Sequence, residues 1–449
     1  MKTIVKANNV ISNILGKQKI NLKKSLYRKL TFCMVLNKDD KYIAYNFITR
    51  ELIEITKNDY DILTSENIEY SESLNVYIEN WFLVPQEFNE FALLKQVKET
   101  ISLFDKKKNI NNYTILPTTD CNARCFYCFE AGVKKEYMSP VIANDVAEYI
   151  IKNTGKDKAK IRWFGGEPLY NIEAIDIITG KLKTLNIEYS SSIVSNGYLF
   201  NDSVIKRAKE IWQLNDVQIT LDGTEKVYNR VKNYIYNNNE SPYKIVLNNM
   251  EKLLDNNIQV IVRLNMDEHN KDDLYVLVDE LFTRFNKKDN FKIYVHLLYE
   301  DSGNLKLDYS SQKHLELAYD YFALEDYIIT KGLLLERNVS NILKTSHCMA
   351  DNDSSIVILP NGNLSKCEHA LSEDIIGNIY SNAVNQEAIN SWKQVQDMTE
   401  SCYTCAVYPD CLRLKKCHSV KPICYKSEQL DIVRKKERMI WKLYENESK

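Results

Sequence analysis

The stretch Cys121-Asn-Ala-Arg-Cys125-Phe-Tyr-Cys128 constrains this chain more than any other. Cysteines separated by three and then two residues, within one short loop, set three thiolates around a single small volume. No fourth cysteine lies nearby in the sequence. A structural zinc site closes its fourth position with a protein ligand. Three thiolates instead suit three irons of a [4Fe–4S] cube, with the fourth iron left open to a ligand that is not protein. The loop therefore reads as the seat of an iron–sulfur cluster kept incomplete.

The remaining cysteines point the same way. Of 11 in a chain of 449 residues, Cys33 stands alone, three lie at 121–128, and seven lie between 348 and 424. The lysine-dotted N-terminus lacks the apolar core of about 7–15 residues that a secretory signal needs. No run of about 18 apolar residues suggests a membrane span. A cytoplasmic location follows as the expectation, and there a disulfide framework is out of place. Metal ligation explains ten of the cysteines, with Cys33 a buried apolar residue. Lys plus Arg is 59 against 61 Asp plus Glu, so the basic footprint of a nucleic-acid binder is missing.

Along the chain the patterns fall into three parts. Residues 26–85 read as a small α+β unit. Strand-like runs at 30–36 and 42–48 flank the hairpin signal Asn37-Lys-Asp-Asp40, and a third run lies at 51–55. Helices are expected at 57–63 and 71–80, and a last extended run at 81–84. This order suggests a winged-helix-like domain, which with its connector helix spans 1–105; a cap without a binding role is the alternative. Residues 106–335 alternate strand and helix, with strands at 113–118, 161–164, 191–195, 217–221, 260–265 and 291–298. That pattern implies a parallel sheet with outer helices. Six strands are too few for a closed eight-stranded barrel, so an open, partial (β/α)6 barrel is expected. Ligands gather at the carboxyl ends of such strands, where the cysteine loop lies. Residues 309–345 read mostly as helix. Residues 336–449 form a cysteine-rich third domain that closes with an amphipathic helix over 427–445.

Further elements stand at successive strand ends. Gly165-Gly-Glu-Pro168 follows the second strand, and Ser195-Asn-Gly197 ends the third. Leu221-Asp-Gly223 with Arg230 follows the fourth, and Arg263 with Asn265 sits on the fifth. Each alone is an ordinary turn. In this order, with the cysteine loop and its aromatic Tyr127, residues 113–300 resemble the radical S-adenosylmethionine (radical SAM) superfamily. The resemblance implies an enzyme in which Cys121, Cys125 and Cys128 hold the cluster and SAM chelates the open iron. Reductive cleavage of SAM then yields a 5′-deoxyadenosyl radical. Tyr127, Gly165, Gly166, Glu167, Pro168, Ser195, Asn196, Asp222, Arg230 and Arg263 are the implied SAM contacts. Among them, Glu167 would accept a hydrogen bond from the methionine ammonium.

The C-terminal cysteines resemble the SPASM domain, which adds auxiliary [4Fe–4S] clusters to such enzymes. Carried over, Cys402, Cys405, Cys411 and Cys424 hold one complete cluster, and Cys348, Cys367 and Cys417 hold the other. The step from Cys411 to Cys417 is longer than the family pattern, and Lys415 occupies the expected site. The three-cysteine cluster would have an iron open to a substrate cysteine thiolate; ligation by His347, a backbone group or solvent is the alternative. A zinc ribbon over 402–424 is another, since C-x2-C serves either metal. Glu368, directly after Cys367, is the candidate catalytic acid or base, with a plain surface role as its alternative, and His369 is expected to be structural.

The resemblance implies a maturase of a ribosomally made precursor peptide. The N-terminal unit would bind the leader of that peptide as an added strand, and a flavodoxin or ferredoxin would supply electrons. The expected product is a cross-link, a cysteine thioether first and a carbon–carbon or carbon–oxygen bond otherwise. A sulfatase-maturing enzyme and a non-catalytic iron–sulfur or peptide-binding scaffold are the other readings.

Overall fold

In the computed structural model the described residues are 1–16, 26–104, 109–236, 240–298, 310–346, 348–369, 374–381, 384–411, 413–417, 420 and 423–448. His347 lies outside them.

The N-terminal unit comprises β1 (Lys2–Val5), α1 (Asn9–Leu15), β2 (Leu26–Lys29), β3 (Cys33–Lys38), β4 (Lys41–Asn46), β5 (Leu52–Ile55), α2 (Lys57–Leu63), β6 (Ile68–Glu69), α3 (Asn75–Glu79), β7 (Leu83–Pro85) and α4 (Glu90–Phe104). Its strands make two sheets, ordered β1-β5-β4-β3 and β6-β2-β7. The hairpin signal forms a two-residue turn in which Asp39 and Asp40 both have positive φ, 50° and 58°. Such turns match the twist of the strands they join. Helix α2 starts at a capping box between Thr56 and Asp59. The sequence pattern missed β1 and β2, which are short and are made strands by the partners they find.

The central unit runs β8 (Asn112–Ile115), α5 (Pro140–Thr154), β9 (Ala159–Trp163), α6 (Ile172–Thr184), β10 (Tyr189–Ser195), α7 (Asp202–Glu210), β11 (Leu214–Leu221), α8 (Glu225–Lys232), α9 (Pro242–Asp255), β12 (Gln259–Met266), α10 (Lys271–Phe285), β13 (Phe291–Leu297) and α11 (Gln312–Thr330). Strands β8 to β13 lie parallel in sequence order. Along β9 to β13 residues at alternate positions are buried in the core shared with the helices, such as Ile161, Ile193, Val217, Val260 and Ile293. The opposite face carries Arg162, Ser192, Gln218, Arg263, Tyr294 and His296, which stay at least partly accessible. A parallel sheet covered on both faces is apolar on both; here one face is left polar, as the wall of a cavity requires.

The helix read over 309–345 stops at Thr330. Gly332, at φ 69°, takes the left-handed conformation that ends a helix. The chain then runs extended along β13, with a bridge from Ile293 to Leu334.

The remaining elements are β14 (Ser355–Ile358), β15 (Asn363–Ser365), β16 (Gly377–Asn378), α12 (Gln386–Ser391) and α13 (Lys426–Glu447). Strand β14 pairs in parallel with β8, from Ser355 opposite Asn112 to Ile358 opposite Ile115. The cysteine-rich segment thus extends the central sheet to nine strands. The N-terminal core also continues into this segment, through Val407, Ile440 and Tyr444. Arg50, buried at the end of the first sheet, pairs with Asp410, which also takes Lys436 from α13. No helix among the described residues is long and apolar enough to cross a membrane.

Candidate active site

The loop after β8 brings Cys121, Cys125 and Cys128 together, and each is half-buried. Burial pushes the Cys121 thiol up to about 12, helped by Glu167 and by the other two cysteines. Cys128 goes to about 11, again chiefly through burial. Thiols held this far from ionisation by a dry site are stabilised as thiolates by a metal centre. Among the described residues, no three His, Cys, Asp or Glu side chains close on a site for a single ion. Three thiols of one loop are the donor set that a [4Fe–4S] cube with one open iron would use.

The strand-end residues hold this loop in place. A Cβ on Gly165 would stand 2.3 Å from the Thr118 carbonyl oxygen, and one on Gly166 2.3 Å from that of Asp120. The glycines therefore let the loop after β9 press onto the backbone that leads into the cysteines. The Glu167 N–H donates to the Asp120 carbonyl at 2.9 Å. Pro168 is buried and opens the short helical turn that follows.

The Glu167 side chain is fully buried. It accepts from the Ser195 hydroxyl at 2.9 Å, the Asn196 N–H at 2.8 Å and the Leu169 N–H at 3.2 Å. Burial raises it to about 7 against these donors. The carboxylate thus ties the end of β9 to the end of β10. Asn196 in turn donates to Asn122 at 2.6 Å and reaches the Cys121 sulfur at 3.9 Å.

On the far side of the loop, the Tyr127 hydroxyl donates to Asp222 at 2.8 Å. Tyr127, Asp222 and the exposed Arg230 line one cleft with Phe126, His269 and Asn270, of about 450 Å³. That volume is within the range of small-molecule sites. Arg263 stands apart on β12, where its Nε donates to Asn265 at 2.8 Å; burial first, and then the Arg263 charge, push the His296 imidazole well below its ordinary range.

Sequence reasoning missed Lys232. Its ammonium is 3.0 Å from Asp222 and donates to the Tyr127 hydroxyl at 3.0 Å. Helix α8 was not expected, so a lysine at its end carried no signal beyond the apolar spacing of Val227, Tyr228 and Val231.

The C-terminal cysteines fall into two sets. Cys402, Cys405, Cys411 and Cys424 line one small cavity. Cys367 and Cys417 pack on Ala350, Trp392 and Leu414, with Cys348 near enough to affect Cys367. Glu368 is half-buried and adds to the upward shift of both Cys348 and Cys367. His369 stacks on Phe129, the residue after Cys128, at 4.0 Å between ring centres.

The family model "Radical SAM superfamily" matches residues 115–281. The chain carries a radical SAM domain. The expectation of a radical SAM domain therefore holds over these residues, and such a domain implies a [4Fe–4S] cluster and SAM. Among curated relatives, a GTP 3′,8-cyclase of Limosilactobacillus fermentum is 32% identical over 123 residues, which are 27% of this chain and 36% of that protein. The sporulation killing factor maturation protein SkfB of Bacillus subtilis is 23% identical over 169 residues, 37% of this chain and 38% of that protein. The chain thus spans little more than a third of the length of these relatives. Among solved structures, anSMEcpe with bound AdoMet and the Cp18Cys peptide has a TM-score of 0.54 at 15% identity, covering 75% of this chain and 98% of that one. SuiB of Streptococcus suis bound to its precursor peptide SuiA has 0.50 at 15% identity, covering 86% and 94%. These likenesses bear on the fold, a mixed α/β radical SAM fold.

Proposed function

We propose that this protein modifies a ribosomally made precursor peptide and cross-links it, a cysteine thioether being the first choice and a carbon–carbon or carbon–oxygen bond the alternative. The observation that carries the reading is the stack of His369 on Phe129, which joins the segment of Cys348, Cys367 and Cys417 directly to the radical SAM cysteine loop. A second group of metal-ligating residues beside the first has a use when the reaction must dispose of an electron. The likeness in fold to SuiB, whose structure holds a precursor peptide, supports a peptide substrate, as does the likeness to the maturation protein SkfB.

When bound, the cluster and SAM supply a radical that abstracts hydrogen. In this reading Cys121, Cys125 and Cys128 hold the cluster; Cys402, Cys405, Cys411 and Cys424 hold one auxiliary cluster, and Cys348, Cys367 and Cys417 another. Tyr127, Gly165, Gly166, Pro168, Ser195, Asn196, Asp222, Arg230 and Arg263 are the groups proposed to surround SAM. Glu167 gives its carboxylate to Ser195 and Asn196, so its service to SAM is to shape that wall. Forming a carbon–sulfur bond removes one hydrogen atom from carbon, one proton from the thiol and one electron. Glu368 is the group proposed to take the proton, and the three-cysteine set the seat of the electron acceptor. A flavodoxin or ferredoxin returns electrons for the next turnover. The N-terminal unit binds the leader.

A sulfatase-type oxidation is the second reading. It is disfavoured because anSMEcpe is matched over 98% of its length yet covers only 75% of this chain, leaving a quarter of the chain for another task. Co-expression with the candidate peptide and mass spectrometry tests the proposal. Loss of two hydrogens per event is expected, with 5′-deoxyadenosine formed under anaerobic reduction; an unchanged peptide mass together with no 5′-deoxyadenosine overturns it.

A further inference from the structure

A lysine buried next to the cysteine loop is unusual enough to need a reason. The Lys232 and Asp222 side chains are 4% and 2% exposed. Desolvating such a pair costs several kcal/mol per ion before their attraction is counted, and an apolar pair would fill the space without that cost. The geometry around Lys232 supplies the reason. Its ammonium, the Asp222 carboxylate and the Tyr127 hydroxyl form a closed triangle with sides of 3.0, 2.8 and 3.0 Å. The same ammonium lies 5.6 Å above the Tyr127 ring and 5.8 Å from that of Tyr228. Its backbone carbonyl accepts from the Arg124 N–H at 2.8 Å, and the Ile235 N–H donates to the Asn122 carbonyl at 2.9 Å. The end of α8 therefore grips the cysteine loop by backbone and side chain together, with Cys125 between the two grips.

We propose that Lys232, paired to Asp222, is a positioning residue that fixes the Tyr127 ring and keeps the Asp222 charge balanced beside the cysteine loop. The inference rests on the radical SAM reading of the loop. The Lys232 ammonium, 3.0 Å from the Asp222 carboxylate, answers the negative charge of the triangle. With Lys232 removed, Asp222 would stand unpaired next to Tyr127, and a bare negative charge there disfavours the added electron of a reduced cluster.

The test uses the cluster-loaded, full-length protein, with SAM affinity by equilibrium binding and the cluster midpoint potential by redox titration. In Lys232→Met, SAM binding weakens about tenfold or more, the scale of one lost hydrogen bond to a charged group, and the midpoint moves to a more negative value. In Lys232→Arg both return most of the way. In Tyr127→Phe the charge stays and only the hydroxyl anchor is lost, so SAM binding weakens a few-fold while the midpoint holds. Should Lys232→Met fail to fold, Asp222→Asn/Lys232→Met removes both charges and is expected to restore the midpoint but not the affinity. Wild-type affinity and midpoint in Lys232→Met overturn the proposal. A midpoint that moves equally in Tyr127→Phe overturns its charge component. A wild-type protein that takes up a cluster but binds no SAM overturns the radical SAM reading of the loop, and this proposal with it.

Discussion

The loop at 121–128 and the loop at 402–411 each present cysteines to one small volume, but they are held by different means. The first is tied by polar groups at successive strand ends: Glu167 to Ser195 and Asn196, Asn196 to Asn122, Lys232 to Tyr127. The second is held by other parts of the chain closing over it. Phe91 meets Tyr403 and Tyr408 edge to face at 5.3 Å, and Phe32 stacks on Tyr408 at 6.1 Å. Behind them Arg50 and Lys436 converge on Asp410. A site held by a hydrogen-bond network depends on particular residue types at particular places. One held by packing depends on the presence of whole elements, most of which accept apolar substitutes.

Substitutions should separate the two. The largest effect is expected from Cys125→Ala, which removes one of three thiolates at the first site. Formation of 5′-deoxyadenosine should vanish, while iron and sulfide analysis still finds the C-terminal clusters of the proposal; retained 5′-deoxyadenosine would break the assignment of the loop. Next is Arg50→Met. The Arg50 and Asp410 side chains are 1% and 9% exposed, and breaking a buried pair costs about 3–5 kcal/mol. Urea unfolding followed by tyrosine fluorescence should show that loss, and the second site should bleach first; stability within about 0.5 kcal/mol of wild type would mean packing alone holds that loop.

Gly166→Ala comes third, because its Cβ would meet the Asp120 carbonyl oxygen at 2.3 Å. The expected result is a displaced cysteine loop, with SAM binding about tenfold weaker and the C-terminal clusters spectroscopically unchanged. A crystal structure with the loop undisturbed would contradict it. The smallest effect is expected from His369→Ala. An aromatic stack of this kind contributes about 0.5–1.5 kcal/mol, so the protein should fold. The ratio of 5′-deoxyadenosine to modified peptide should rise as the direct contact between the two cysteine segments is lost, and an unchanged ratio would deny that contact any role in coupling.

This contrast also explains what could be read from the sequence. Helix α2 was expected at its observed limits, and β8 to β13 were found within a few residues, because each carries its own periodicity. The strand-end residues around the first loop were legible because tight turns restrict residue choice. Lys232 was not, since a lysine in a short helix looks like any solvated residue until Asp222 and Tyr127 are seen to face it. The docking of Arg50 on Asp410 joins residues 360 positions apart and leaves no local pattern. The pairing of β14 with β8 escaped notice for the same reason. Glycine at 332 was visible, but the length of the helical pattern around it concealed its role as a stop.

That last pairing has a mechanical consequence. A ladder of backbone hydrogen bonds joins the strand that enters Cys121–Cys128 to the strand whose hairpin leads to Cys367. The span between these two groups of thiols is then a construction length of one sheet, not a distance set by two bodies meeting and parting. Electron tunnelling falls steeply with distance, so if both groups hold clusters, the distance factor in any transfer between them is set by the sheet, whatever occupies the cavity.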